Sequence, residues 1–427
     1  MTFTIGRRGL LLAGAAFAAA GALRPAFAQE NRLRLIFWGS KDRADRTFAV
    51  ADAYEKANGV TIDGESLPFG DYWTKLATQT AGGNAPDVIN MDGAGRYVAE
   101  YADRGAIAPL DEFIGSALDV SDFDKDQLEA GKVHGKLYAI SLGANALGMV
   151  VNTEAFAKAG LDVPGQSLTF DDLPAMAEAF KSKDVGMRVL TDFSGNWAAL
   201  ENWLIQHGKA LYTADGKLAF DASDFAAWLQ LWAGLRDAGI CTSADEQALE
   251  TSLETSGVIT GKAAMQIKFS NELVGVQKLT DAKLALTNLP RISTDAPGGQ
   301  YRRAAMFFSA SGTSANKEEA VKFISYFVND IDANKILLAE RGIPCSQKVR
   351  DALAPLLDEQ GRIALEYVGG LGPLLVNPPP TSPAGGGEIN ESILPSASQE
   401  VAFGMNSPED AAAAFIAKAN EALQRAG

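Results

Sequence analysis

Residues 135–152, "GKLYAISLGANALGMVVN", contain a long apolar run in the interior of the chain. The part from Leu137 to Val151 has the composition of a β-strand. Gly143 and Gly148 relax this run, as a crossing between two lobes of a protein would require. We therefore predict that the chain passes here from one folded unit to another.

On both sides of the run, short apolar strands alternate with amphipathic helices, which is the pattern of an α/β architecture. "LRLIFWGS", residues 33–40, predicts a buried strand that ends at Trp38. Apolar residues at helical spacing predict a helix from Arg43 to Asn58, with Gly59 ending it in a left-handed conformation. The chain is longer than one hydrophobic core normally serves, so we expect two domains.

Residues 1–28 have the features of a removable export signal. Arg7 and Arg8 form a positive end, an apolar segment follows, and Ala26-Phe27-Ala28 is a small-x-small cleavage site. The adjacent arginines are compatible with either twin-arginine or ordinary secretion. No cysteine follows the predicted cut, so we expect a freely diffusing protein of the periplasm.

The chain is acidic, with a net charge of −15. The predicted signal adds three arginines and no acid to that balance, so the mature chain is more acidic still. Such a charge argues against nucleic acid or an anionic membrane as the partner. Cys241 and Cys345 are the two cysteines, and the sequence leaves open whether they pair or remain free. "NPPPTSPAGGG", residues 377–387, predicts a loop on the surface or over a site.

Several stretches occur in an order that resembles a known family: "LRLIFWGSKDRADR", "YEKANGVTI", "YWTKLATQTAGGNAPDVINMDG", "GKLYAISLGANALGMVVNTEAFAKAG", "TFDDLPAMAEAF", "GKAAMQIKFSNEL" and "RGIPCSQKVR". The chain is similar to extracellular solute-binding proteins of family 1, the substrate-capturing subunits of carbohydrate ABC importers. The resemblance implies a two-lobed periplasmic binding protein fold with a multi-strand hinge and a ligand cleft between the lobes. It also implies an inner-membrane permease as partner, no cofactor and a monomeric chain.

The predicted crossings divide the mature chain into two discontinuous lobes. We expect residues 29–142 and 302–346 to form the N-terminal lobe. Residues 143–301 and 347–427 are expected to form the C-terminal lobe.

A sugar ring has an apolar face and a rim of hydroxyls, so its site needs aromatic plates and planar polar groups. Trp38, Trp73 and Trp197 are each predicted near the end of an element, where the cleft residues of open α/β sheets lie. For Trp38 the strand end offers poor burial, which favours the cleft, whereas Trp73 and Trp197 are equally compatible with a core position. Asp92 and Asn145 are polar candidates.

Asp42 and Arg43 are also polar candidates, although they are equally compatible with an ordinary helix start. The maltose-binding relatives imply sugar contacts around Lys41-Asp42, Met91-Asp92, Asn145 and Lys268 to Asn271. The predicted ligand-binding residues are Trp38, Lys41, Asp42, Arg43, Trp73, Met91, Asp92, Asn145, Asn196, Trp197, Lys268, Phe269, Ser270 and Asn271.

The other tryptophans fit a core better. Trp228 and Trp232 belong to an apolar helical stripe, and Trp203 lies inside a predicted helix. His134 and His207 stand apart from any ligand spacing, so we expect no metal.

Two other classes of function remain open. A secreted glycoside hydrolase would need two placed carboxylates, which the many acids do not exclude, but no nucleophile or metal motif accompanies them. A receptor for a polyamine or an organic anion would keep the fold and change the pocket; Arg302, Arg303 and Lys268 leave an acidic saccharide open. We favour a sugar receptor that performs no chemistry.

Overall fold

The computed structural model describes residues 31–93, 95–380 and 382–426. The predicted export signal, residues 1–28, lies outside the described residues. The architecture is α/β, as predicted, with helices packed around one large sheet that both lobes share.

The strands of this sheet extend through both lobes. Their bounds are β1 Arg32–Trp38, β2 Thr61–Leu67, β3 Val88–Asp92, β6 Ile140–Asn152, β7 Arg188–Leu190, β8 Ala263–Phe269, β9 Leu284–Thr287 and β10 Arg302–Ala310, with β4 Lys132–Val133 and β5 Lys136–Leu137 forming a separate hairpin. The order is β2-β1-β3-β10-β6-β8-β7, with β9 also paired to β6.

The helices cover the sheet. They are α1 Lys41–Asn58, α2 Phe69–Ala81, α3 Arg96–Asp103, α4 Lys125–Glu129, α5 Thr153–Ala159, α6 Leu173–Ser182, α7 Trp197–Gln206, α8 Ala222–Asp237, α9 Ala244–Ala248, α10 Gly257–Thr260, α11 Leu273–Gln277, α12 Lys317–Asn329, α13 Ile331–Leu337, α14 Gln347–Leu353, α15 Glu359–Gly370, α16 Gly386–Glu388, α17 Leu394–Ala402 and α18 Pro408–Ala426.

The first strand and helix follow the sequence prediction. β1 is apolar because it lies in the sheet interior, paired in parallel with both β2 and β3. The Ser40 side chain caps α1 by accepting from the Arg43 amide, and Gly59 ends the helix with φ of 69°. The predicted helix is confirmed, with its start two residues earlier.

The long run in the interior of the chain is strand β6, and it joins the lobes. Its first half pairs with β10 up to Ala146, and its second half pairs with β8 from Leu147 onward. A Cβ at Gly143 would collide with the Arg341 carbonyl, and one at Gly148 with the Tyr367 hydroxyl. The glycines are therefore required by close approach of neighbouring groups, whereas the sequence suggested that they relax the strand.

The buried apolar residues of the described chain form two large cores and one small cluster. One large core surrounds β1, β3 and β10, and the other surrounds β7, α7, α8 and α18. Trp203, Trp228 and Trp232 lie in the second core, as predicted. The residue bounds of the two lobes stay a prediction.

The predicted proline-rich loop is confirmed for residues 377–380 and 382–385. Asn377–Pro380 has no regular structure, although α16 begins at Gly386, inside the predicted loop. Cys241 and Cys345 are both buried and both free.

Candidate functional site

A cavity of about 630 Å³ lies between the lobes, and we call it the Trp197 cavity. Both cores and the connecting strand β10 contribute to its wall. Its lining includes Asp92, Tyr97, Lys132, Trp197, Glu201, Tyr212, Tyr301, Arg303, Pro378, Pro379, Pro380 and Asn390. Its size is within the usual range for small-molecule sites.

The end of β3 forms one wall of this cavity. The turn after Asp92 presses against β10, because a Cβ at Gly93 would collide with the carbonyl oxygen of Ala304. The Tyr97 amide donates to Asp92 Oδ1 at 3.3 Å. The Tyr97 ring stacks on Trp73, with 3.7 Å between centroids. Asp92 is thus a sequence candidate that the structure places at the cavity.

The start of α7 forms the opposite wall. The Asn196 side chain accepts from the amides of Ala198 and Ala199, at 3.0 and 3.1 Å, and so caps the helix. This cap fixes the position of Trp197, the first helical residue, which is partly exposed and lines the cavity. The side-chain oxygen of Asn196 is engaged in this cap. The role of Asn196 is therefore to position Trp197.

Arg303 on β10 lies beside the α7 wall. Its guanidinium carbon lies 5.4 Å from the ring centroids of both Trp197 and Phe269. Cations are attracted to aromatic faces, and a guanidinium stacks on them well. The two rings hold the guanidinium at the cavity wall.

Glu201 lies one helical turn after Trp197 and is almost fully buried. The Tyr301 hydroxyl donates to its carboxylate. Burial raises the pKa of Glu201 to about 7, against the smaller lowering effects of Tyr301 and of the Arg303 charge. The carboxyl is therefore able to exchange a proton near neutral pH.

Sequence reasoning missed Glu201, Tyr301 and Tyr212. A signal was present for Glu201, since residues four apart on a helix share a face and Trp197 was already a candidate. Tyr212 comes to the cavity from a loop, where its hydroxyl donates to Asn390 at 3.3 Å. No spacing in the sequence connects those two residues.

A second cavity, of about 540 Å³, lies near the start of α1, and we call it the Asn145 cavity. Asp42, Arg43, Asn145, Ser270 and Asn271 are the predicted residues that line it. The charges of Asp42 and Arg43 are paired, with Arg46 and Glu340 respectively. The candidates therefore divide between separate cavities, whereas we expected one site.

Three candidates are less accessible than predicted. Trp38 is 9% exposed, because Phe69, Tyr72 and Trp73 pack around its ring, so the expected poor burial is wrong. Met91 is 0% exposed in β3, and such a side chain offers a ligand no surface. Ser270 is 1% exposed, and its hydroxyl accepts from the Ala146 amide at 3.2 Å.

The remaining candidates lie apart from the Trp197 cavity lining. Lys268 and Asn196 line a third cavity of about 260 Å³ in the C-terminal lobe. Lys41 is exposed and paired with Asp45. Trp73 contributes through its stack on Tyr97, and Phe269 through its contact with Arg303. Whether any of these residues touches a ligand stays a prediction.

A family model described as "Bacterial extracellular solute-binding protein" matches residues 49–358. The chain belongs to this family. Among solved structures, an extracellular solute-binding protein of family 1 from Alicyclobacillus acidocaldarius shares 29% identity with this solute-binding protein, at a TM-score of 0.83, over 92% of this chain and 98% of that one. The resemblance noted in the sequence and the two-lobed fold are confirmed.

Two curated relatives match part of this solute-binding protein. The multiple sugar-binding protein of Streptococcus mutans is 26% identical over 157 residues, and a carbohydrate ABC transporter substrate-binding protein of Streptococcus pneumoniae is 28% identical over 149 residues. The matches cover 36% and 33% of this chain, and 35% and 29% of the relatives' own length. A periplasmic oligogalacturonide binding protein from Yersinia enterocolitica shares the fold, with a TM-score of 0.76 over 92% of this chain and 99% of that one, at 20% identity.

The described chain has neither a cluster of metal ligands nor a membrane-spanning helix. No group of three or more His, Cys, Asp or Glu side chains there is arranged to hold a metal ion. None of the helices in that part is both long and apolar enough to cross a membrane.

Proposed function

We propose that this solute-binding protein captures a mono- or oligosaccharide in the Trp197 cavity and performs no chemistry on it. The observation that supports this most is the composition of the cavity wall. Trp197 and Tyr97, both partly exposed, offer aromatic groups, and Asp92 and Arg303 offer planar polar groups. This combination suits the apolar face and hydroxyl rim of a sugar.

The mechanism we propose is closure of the lobes on the ligand. Asp92 and Tyr97 come from one lobe, and Trp197 and Glu201 come from the other. A ligand that contacts both sides favours the closed state, because only that state makes all of the contacts. The closed protein then delivers the sugar from the periplasm to an ABC permease in the inner membrane.

A thermal-shift screen over neutral sugars, acidic sugars, polyamines and organic acids tests this function. A compound that binds only the folded chain raises the melting temperature. We expect a saccharide to give the largest shift and to be recovered uncut after incubation. A largest shift with a polyamine, or cleavage of the saccharide, would reject the proposed function.

A further inference from the structure

The guanidinium of Arg303 has donors that the protein does not use. Its side chain is partly exposed at the wall of the Trp197 cavity, held between the Trp197 and Phe269 rings. Within residues 31–93, 95–380 and 382–426, no hydrogen bond or ion pair engages this guanidinium. A guanidinium carries five N–H donors and no acceptor, so its natural partner is an anionic or strongly accepting group.

Two other described cations of the cavity lining, Arg302 and Lys132, are already paired. Arg302, next in the chain, is buried and binds Asp124 at 2.8 Å and Asp126. Lys132 binds Glu129 at 2.5 Å. Lys268 lines a separate cavity, and its ammonium lies 3.7 Å from the Glu272 carboxylate. Of these described cations, Arg303 is thus the one that lines this cavity without a paired carboxylate.

We propose that the Trp197 cavity is specific for an acidic saccharide, whose carboxylate pairs with Arg303 while its hydroxyls contact Asp92 and Glu201. This inference rests on the proposed function. The planar guanidinium matches a carboxylate with two parallel hydrogen bonds, and the flanking rings limit its rotation. A uronic acid supplies the carboxylate and the sugar face in one molecule.

The acids in the cavity are compatible with an anionic ligand. Glu201 carries a proton part of the time near neutral pH, because burial raises its pKa to about 7. When the ligand carboxylate lies beside Arg303, its attraction to the guanidinium outweighs its repulsion by the acids of the cavity. A polyamine, by contrast, would bring positive charge against Arg303.

Isothermal titration calorimetry tests the inference on the wild-type chain. The probes are mono- to tetrasaccharides of galacturonate, glucuronate, mannuronate and guluronate, their methyl esters, and neutral hexose oligosaccharides. The esters keep the shape of the acids and remove the charge. We expect the best acid to bind about 30-fold or more tightly than its ester, the scale for a charged hydrogen-bonded pair in a binding site.

Substitutions of Arg303 test whether this residue causes the preference for the acid over the ester. Arg303→Gln should remove most of the difference between acid and ester, and Arg303→Lys should retain part of it. Arg32→Gln is the control, because it removes an arginine from an exposed ion pair with Asp63, outside the cavity lining. If Arg303→Gln does not fold, as circular dichroism would show, the acid-to-ester ratio of Arg303→Lys decides.

Two results would overturn the inference and leave the proposed function intact. One is an ester or a neutral sugar that binds as tightly as the best acid. The other is an equal loss of acid and ester affinity in the Arg303 variant. Absence of binding to every saccharide in the panel would reject the proposed function itself.

Discussion

Arg303 and Asn145 are direct partners in the pairing of β10 with β6, yet they line different cavities. Arg303 borders the Trp197 cavity, and Asn145 borders the Asn145 cavity. The strand pair that connects the lobes therefore contributes to both cavities. Single substitutions in each cavity can therefore show which of the two holds the ligand.

Trp197→Ala should weaken saccharide binding by about 1 to 3 kcal/mol, because the ring is a partly exposed anchor at the cavity wall. Its effect on the free energy of unfolding should be small. The matched control is Trp228→Ala, since Trp228 is buried and its indole N–H donates to the Ser194 carbonyl at 2.8 Å. That control should lose about 3 to 5 kcal/mol of stability; equal stability loss in both variants would contradict the assignment.

Asn145→Ala tests which cavity holds the sugar. If the ligand lies in the Trp197 cavity, calorimetry should show a change in binding free energy below about 0.5 kcal/mol, because no hydrogen bond to the ligand is removed. A loss of about 1.5 kcal/mol or more, together with little effect of Trp197→Ala, would place the sugar in the Asn145 cavity.

Trp38→Ala should act mainly on stability. The Trp38 ring is buried among Phe69, Tyr72 and Trp73, so its removal leaves a void that costs about 3 to 5 kcal/mol in urea unfolding. Phe69→Ala removes a neighbour in the same cluster that is 57% exposed. We expect a much smaller cost for that control, and similar costs for both variants would contradict the burial of Trp38.

Glu201 should make stability depend on pH. Burial raises its pKa from 4.5 to about 7, so the folded chain binds the proton more tightly than the unfolded chain. The stabilisation is complete below pH 4.5 and is lost as the pH rises to 7, at a cost of about 3 kcal/mol. Burial also raises the pKa of Glu250 to about 7, so this residue likewise lowers the free energy of unfolding as the pH rises.

Glu201→Gln should therefore reduce, but not abolish, the fall in unfolding free energy between pH 4.5 and pH 8. Glu250→Gln is the comparison, and the double variant should be nearly flat in that range. Urea titrations at several pH values measure this. An unchanged slope in Glu201→Gln would show that its carboxyl titrates normally.

The sequence predicts which residues lie at the ends of elements, and some of those residues line the Trp197 cavity. Asp92 and Trp197 are candidates because each is predicted at the end of an element, and both line the Trp197 cavity. Trp38 ends a strand but is buried, because the sequence does not show which side chains other elements cover. Met91, which the resemblance to maltose-binding relatives implies as a contact, is buried in β3. Aromatic residues of α2 bury Trp38, and only the folded chain shows that packing.

The rest of the Trp197 cavity is formed by contacts between distant segments. Tyr301 and Glu201 are 100 residues apart, and the crossing of β10 brings them together. Arg303 was noticed as a charge, but its position between Trp197 and Phe269 depends on how α7 and β8 meet β10. Neither periodicity nor spacing contains that information.

Small-angle X-ray scattering tests capture between the lobes most directly. The wild-type chain is measured alone and with a saturating amount of the saccharide that gives the largest thermal shift, with saturation checked by calorimetry. We predict a smaller radius of gyration in the presence of the sugar, and a weaker response at the same sugar concentration in Trp197→Ala. Saturating binding with no change in the radius of gyration would contradict closure as the mechanism of capture.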